Sequence, residues 1–241
     1  MIKLYQFPIS HYCEKVRWTL DYKGVPYDEV NLIPGLHIPV MRRLTGRTTV
    51  PAIVDGDTVI AGSDSILDHL DQAFPEQKLM PDGADQQAAV RDWEAYADSE
   101  IGPHVRRYCY QTLLNYPEIV RPFFTTRGPW YGDLYLRATF PALRLGMRKS
   151  MNINAAGANR SLDKLIAAID RLSEATADTG YLVGGRFTRA DLTAASLLAP
   201  LCLPEGYGLE WPAKLPEPLG STVQLLTPKL AWVLRLYAQH R

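Results

Sequence analysis

The chain has 241 residues, enough for one large domain or two ordinary ones, and its 46% apolar and 22% charged residues are the balance of a soluble globular protein. Lys plus Arg and Asp plus Glu number 26 each, and this zero net charge argues against nucleic acid as the main partner, because duplex binding normally needs a basic surplus. Three scattered cysteines (Cys13, Cys109, Cys202), no signal-peptide pattern and no apolar run of the roughly 20 residues that span a bilayer give a cytoplasmic expectation, with no membrane partner and no metal site.

Residues 2–7 alternate apolar and polar as a strand does. Pro8-Ile9-Ser10 breaks the run, and from His11 the spacing of Val16 and Leu20 predicts a helix that stops at Gly24. A second strand is expected over 25–32, then a Pro- and Gly-rich loop and a short basic helical turn at 40–44. The β-prone runs 50–54 and 58–61 flank Asp55-Gly56-Asp57, a strong hairpin signal, and Ser63 opens a helix through Leu70. The order β-α-β, connection, β-β-α fits a small mixed sheet with helices on its faces. Residues 74–83 read as a linker, and everything beyond is expected to be helical. Long apolar stripes predict helices over 85–114, 134–149, 161–176, 188–203 and 223–238, with a loop at 152–159 and irregular backbone at 204–220.

Three constellations carry chemistry. Ser10-His11-Tyr12-Cys13 puts a hydroxyl and a thiol at a helix N-terminus, where free N–H groups and the dipole favour an anion such as a thiolate. Ser10 can equally be a plain N-cap. Thr49-Val50-Pro51 opens a strand with a residue that cannot donate to the ladder, as a backbone site for an extended peptide would, or as an ordinary edge proline would. Gly62-Ser63-Asp64 begins a helix with a hydroxyl and free amides, a natural carboxylate site or again a cap.

Taken together, LYQFPISHYCEKVRW, TVPAIVDGDTVIAGSDSIL and GGRFTRADLTAASLLAPL resemble the glutathione transferase superfamily. The likeness covers the N-terminal domain and the outline of the C-terminal one. It implies an α/β thioredoxin-like domain (1–77), a linker (78–84) and an all-α helical domain (85–241), with Thr188 and Asp191 capping a helix of the second. It implies a homodimeric detoxifying enzyme with glutathione as co-substrate, no metal, and a hydrophobic or aromatic electrophile or a peroxide as second substrate. Position by position, Ser10 takes the place of the residue that activates the glutathione sulfur. Val50, ahead of Pro51, offers its backbone to the cysteinyl part, and Ser63 with the Asp64 amide takes the γ-glutamyl carboxylate. Thr49 lies where many relatives carry a lysine for the glycyl carboxylate, so His37, Arg42, Arg43 or Arg47 would have to substitute. Gly62 replaces the usual Glu or Gln.

Two alternatives follow. Cys13 closes a Ser-x-x-Cys motif and could serve a glutathione-dependent thiol–disulfide reductase, although its place beside the apolar Val16 face predicts burial. A scaffold that keeps the fold and binds glutathione without catalysis would explain the departures at Gly62 and Thr49. Residues 103–150 carry eight Arg and Lys against two acids, interleaved with aromatics. The segment reads as helix packing, a dimer seam, a pocket for the electrophile lined by Tyr108, Trp130 and Tyr131, or, least favoured, a surface for nucleic acid or membrane.

Overall fold

A computed structural model describes residues 1–241. Strands β1 (Ile2–Gln6), β2 (Tyr27–Asn31), β3 (Ala52–Asp55) and β4 (Thr58–Ala61) form one sheet in the order β2-β1-β3-β4. β1 pairs parallel with β2 and antiparallel with β3, and β3 and β4 are the hairpin expected around Asp55-Gly56-Asp57. Helices α1 (His11–Tyr22), α2 (His37–Thr45) and α3 (Ser63–Ala73) complete this part. Leu4 and Ile53 of the sheet, Val16 and Leu20 of α1 and Ile66, Leu67 and Leu70 of α3 are fully buried, which is the burial their apolar spacing requires.

The rest is helical: α4 (Ala84–Glu100), α5 (Gly102–Leu113), α6 (Pro117–Thr125), α7 (Gly132–Ser150), α8 (Ala155–Ala175), α9 (Arg189–Leu198), α10 (Leu219–Leu226) and α11 (Ala231–His240). One apolar core runs without a break from Leu4 and Trp18 in the first part to Leu192, Leu201 and Leu236 in the second. α9 is the central element, with every residue buried. It begins with the predicted cap: the Asp191 carboxylate accepts from the Thr188 N–H and hydroxyl, each at 2.9 Å, and from the Leu182 N–H at 2.8 Å. No helix is long and apolar enough to cross a membrane.

Four elements differ from expectation. The single helix expected over 223–238 is two, α10 and α11, parted by a 3-10 turn at Thr227–Leu230 where Pro228 supplies no N–H. The single helix over 85–114 is two, broken at Ile101-Gly102-Pro103. Pro103 supplies no N–H, and Gly102 sits so close to the Tyr12 hydroxyl of α1 that a Cβ there would collide with it. α6 was not anticipated, because Pro117 and Pro122 within nine residues look like a loop; Pro117 occupies the first turn, where its missing N–H costs nothing. The loop expected at 152–159 is mostly the start of α8, which Asn154 caps by accepting from the Gly157 N–H at 2.8 Å.

Candidate functional site

Strand order decides which loops meet. β1 and β2 run parallel, so the segments leaving both emerge at one edge of the sheet, and β3, antiparallel to β1, enters at that same edge. β4, antiparallel to β3, leaves there too. Ser10 follows β1, His37 follows β2, Val50-Pro51 precedes β3 and Ser63 follows β4. The Gly62 N–H donates to the Pro51 carbonyl at 3.1 Å, tying the last two together. The Val50–Pro51 peptide bond is cis.

Ser10 is the N-cap of α1: its Oγ accepts from the Cys13 N–H at 3.4 Å while its carbonyl accepts from Glu14 at 2.9 Å. The preceding turn is held from both sides, by Ser10 N–H to Phe7 O at 3.0 Å and by the Tyr207 hydroxyl donating to Ile9 O at 2.8 Å. Ser10 is half-buried, and the N-terminal amides of α1 surround it. Cys13 is fully buried, and burial raises its thiol pKa, with Arg17 and the Ser10 hydroxyl only partly offsetting this. The sulfur is therefore withdrawn both from solvent and from the thiolate form.

The α3 N-terminus is built differently from what a cap would give. Gly62 has φ +98°, a conformation an L side chain rarely adopts, so the missing acidic residue follows from the backbone. Arg47 Nη1 lies 3.8 Å from where a Cβ on Gly62 would stand, which brings a guanidinium to the start of α3. Ser63 is buried and Thr49 exposed. His37 is a brace: its Nδ1 accepts from the Gly35 N–H at 3.0 Å and its ring packs edge-on to Phe7 at 4.9 Å. Burial lowers its pKa, against the pull of the Thr48 and Ile33 carbonyls, so it carries no fixed positive charge here.

Behind Ser63 lies an acidic cluster that the sequence reading missed. Lys15 of α1 is fully buried and pairs with Asp64, with Glu94 at 3.6 Å and with Asp98 at 3.8 Å. Burial works against ionisation of Asp64, but Lys15 and its hydrogen bond hold that carboxyl below the usual carboxylate range. Asp98 goes the other way: burial, opposed by Lys15 and reinforced by Asp64 and Glu94, pushes it up to about 7. An acid raised in the folded state favours folding at low pH, and that contribution is lost as pH climbs from the ordinary carboxylate range through about 7. Urea denaturation should accordingly find wild type gaining on Asp98→Asn at pH 5 and losing that advantage at pH 8. A stability difference that is the same at both values would contradict this assignment.

Beside the Ser10 turn, a cavity of about 40 Å³ is enclosed by Ile9 and His11, by Tyr110 and Leu113 of α5, and by Trp211 and Leu215 of the irregular segment before α10. Tyr108, Trp130 and Tyr131, expected to line an electrophile pocket, do not line this cavity. Tyr108 is buried with its hydroxyl 2.5 Å from Thr222 Oγ1, whereas Trp130 is 90% exposed and packs edge-on to Tyr131, ring centroids 5.7 Å apart, just before α7. Aromatic and Arg composition cannot say which way a ring points. The residues that do line the cavity carry a faint signal: Arg106, Tyr110 and Leu113 recur at helical spacing on one face of α5. Nothing in the sequence tied that face to His11 or Trp211.

The first part of the chain matches a protein family: residues 4–78 fit the model of the glutathione S-transferase N-terminal domain. Among curated proteins, the chain is similar to glutathione S-transferase Z2 of Arabidopsis thaliana, 35% identical over 115 residues, which cover 46% of this chain and 52% of that protein. The chain thus spans about half the length of the curated relative it matches there. Among solved structures it resembles the β-etherase LigF from Sphingobium sp. strain SYK-6, with a TM-score of 0.71 at 21% identity over 99% of this chain and 95% of that one. It also resembles the theta class glutathione S-transferase of Xanthomonas axonopodis pv. citri with glutathione bound, with a TM-score of 0.65 at 20% identity over 99% and 93%. At these identities the structural likeness speaks for the fold.

Proposed function

We propose that this chain is a member of the glutathione transferase superfamily, that it binds glutathione along the sheet edge shared by Ser10, Val50 and Ser63, and that it activates the glutathione thiol at Ser10 for attack on an apolar, aromatic electrophile or a peroxide. The observation that carries the reading is the convergence of a hydroxyl-capped helix N-terminus, the strand entry at Val50-Pro51 and the α3 N-terminus at one edge, next to an apolar cavity. A free thiol, with a pKa of about 8.5, is only a few per cent ionised at pH 7. A hydroxyl donor and free helix amides stabilise the thiolate but not the thiol, and so lower that pKa. The proton leaves to solvent, and the sulfur lone pair forms a C–S bond while a leaving group departs with its electron pair, or while the C=C π bond of an enone breaks and its other carbon takes a proton. On a hydroperoxide the O–O bond breaks to release an alcohol, and a second glutathione converts the resulting sulfenic acid to the disulfide and water.

Under this reading the γ-glutamyl carboxylate sits on Ser63 and the Asp64 amide at the α3 N-terminus. The Arg47 guanidinium stands beside Gly62 at that same N-terminus, which supports it as a charged contact for glutathione. Ser63→Ala should weaken glutathione binding by roughly 1–3 kcal/mol, the cost of leaving a charged acceptor without its donor. Titration calorimetry checks this, and an unchanged Kd would remove Ser63 from the site. The superfamily reading also makes the protein a homodimer; light scattering at micromolar concentration should give twice the chain mass, and a monomer mass would refute it. The burial of Cys13 speaks against the thiol–disulfide reductase alternative.

A further inference from the structure

The cavity beside Ser10 is apolar except at one end. There two polar atoms are buried and have no hydrogen-bond partner: His11 Nε2, on a side chain that is 6% exposed, and Arg106 Nε. Both residues line the void, one from the first position of α1 and one from α5. Orphaned buried polar atoms are rare because each forfeits a hydrogen bond it had in water. Here they face the same small space, and the two are chemically complementary. Burial, with the Arg106 charge beside it, lowers the His11 pKa to about 3, so the ring is neutral and carries one proton. In the tautomer that keeps the ring proton on Nδ1, the unpartnered Nε2 is a bare acceptor. Arg106 Nε–H can only donate.

We propose that His11 and Arg106 form the polar end of the second-substrate pocket and select an aromatic electrophile that carries a free hydroxyl group. The inference rests on the reading that this cavity receives the second substrate. A hydroxyl donates to His11 Nε2 and accepts from Arg106 Nε–H with one atom. A ketone or nitro group accepts only and leaves Nε2 unpaired, and a carboxylate sets its own lone pairs against that of Nε2. Ile9, Leu113 and Trp211 supply the apolar walls for the ring. The 40 Å³ void is far below the roughly 300–1,000 Å³ of a small-molecule pocket. The wall that gives way is the non-helical segment between α9 and α10, which bears Trp211 and Leu215 and is fastened at Tyr207 to Ile9 O and at Trp211 Nε1 to Pro204 O (3.1 Å).

The test uses two enones of matched electronics, 4-(4-hydroxyphenyl)-3-buten-2-one and its 4-methoxy counterpart, which cannot donate. Their Kd values for the full chain are measured by calorimetry without glutathione, and kcat/KM for conjugation is measured with it. The wild type should bind the hydroxy compound at least tenfold more tightly. His11→Phe and Arg106→Met should each bring that ratio close to one, while His11→Gln, whose amide oxygen accepts, should keep part of it. Arg106→Met, in mid-helix, keeps the test decisive should His11→Phe misfold beside the Ser10 cap. Equal Kd values for the two enones, or no binding of the hydroxy compound at millimolar concentration, would mean that the two orphan atoms hold water only, and would overturn the inference. Conjugation of both enones without preference would overturn the hydroxyl selection and leave glutathione transfer standing. A binding preference with no conjugation of either would do the reverse.

Discussion

Replacing Ser10 with alanine is expected to lower turnover of glutathione conjugation by about 10²–10⁴-fold, the range for losing one key polar catalytic group. Ser10 Oγ takes the Cys13 N–H as acceptor, which fixes the oxygen at the mouth of α1 and leaves the hydroxyl proton to be given away. The nearby Cys13 thiol is a weak, neutral acceptor for that proton. A glutathione thiolate is charged, and hydrogen bonds to charged acceptors are about twice as strong as neutral ones, so the thiolate outcompetes it. The substitution also removes a cap worth roughly 1 kcal/mol of helix stability. Separating the two effects requires measuring Tm and glutathione Kd alongside rate: the expected result is a large fall in kcat with modest changes in both. Cys13→Ser is the control, and because that thiol is buried it should cost stability and leave conjugation largely intact. If Ser10→Ala kept full conjugation and disulfide reduction while Cys13→Ser abolished reduction, the chemistry would belong to the thiol.

The parts of this fold that are legible in the sequence are those set by local chemistry. The four strands are short and punctuated by Pro8, Gly24, the Asp55-Gly56-Asp57 turn and Ser63, and each boundary is a residue whose backbone or capping preference acts on its immediate neighbours. The same holds for α9, whose Thr188–Asp191 cap is complete within four residues. What the sequence hid was set across long separations. The break between α4 and α5 carries a local mark in Pro103, but the apolar stripe over 85–114 runs on across it, and the close approach of Tyr12 that leaves no room for a Cβ at Gly102 comes from another element. The candidate site divides in the same way. Ser10, Val50 and Ser63 stand at recognisable junctions, and the sheet order brings those junctions to one edge. His11 and Arg106 look ordinary in sequence, one as a helix start and one among eight basic residues, and only folding turns their unpartnered nitrogens on one cavity.

Arg189→Ala should destabilise the protein by about 3–5 kcal/mol, the cost of removing one member of a buried charge network. Arg189, 1% exposed in the first turn of α9, donates through Nη1 to Asp68 at 2.5 Å and through Nε to Glu94 at 3.2 Å, with Nη2 also 3.2 Å from that carboxylate. Glu94 is 3% exposed, so without Arg189 its charge would rely on the longer contacts to Arg91 at 3.5 Å and Lys15 at 3.6 Å and on the Thr193 hydroxyl at 3.3 Å. Asp68 would keep Arg91, itself half in water. The loss therefore falls on Glu94, an ion that has left water and would be left underpaired. Since the energy lies in the orphaned partner rather than in the bond, Arg189→Met with Glu94→Leu should recover a large part of what Arg189→Ala loses, as apolar replacements of buried ion pairs do. Urea denaturation of the two variants decides it, and a loss under about 1 kcal/mol for Arg189→Ala, the worth of an exposed pair, would mean that the network is solvated. The effect should reach glutathione as well. Arg189 also approaches the Asp64 carbonyl at 3.5 Å, in the first turn of α3, and Lys15 holds the Asp64 side chain from the other direction. The N-terminus proposed to receive the γ-glutamyl carboxylate is thus held by charges on α1, α4 and α9, and Arg189→Ala should raise the glutathione Kd even at temperatures where the variant remains folded.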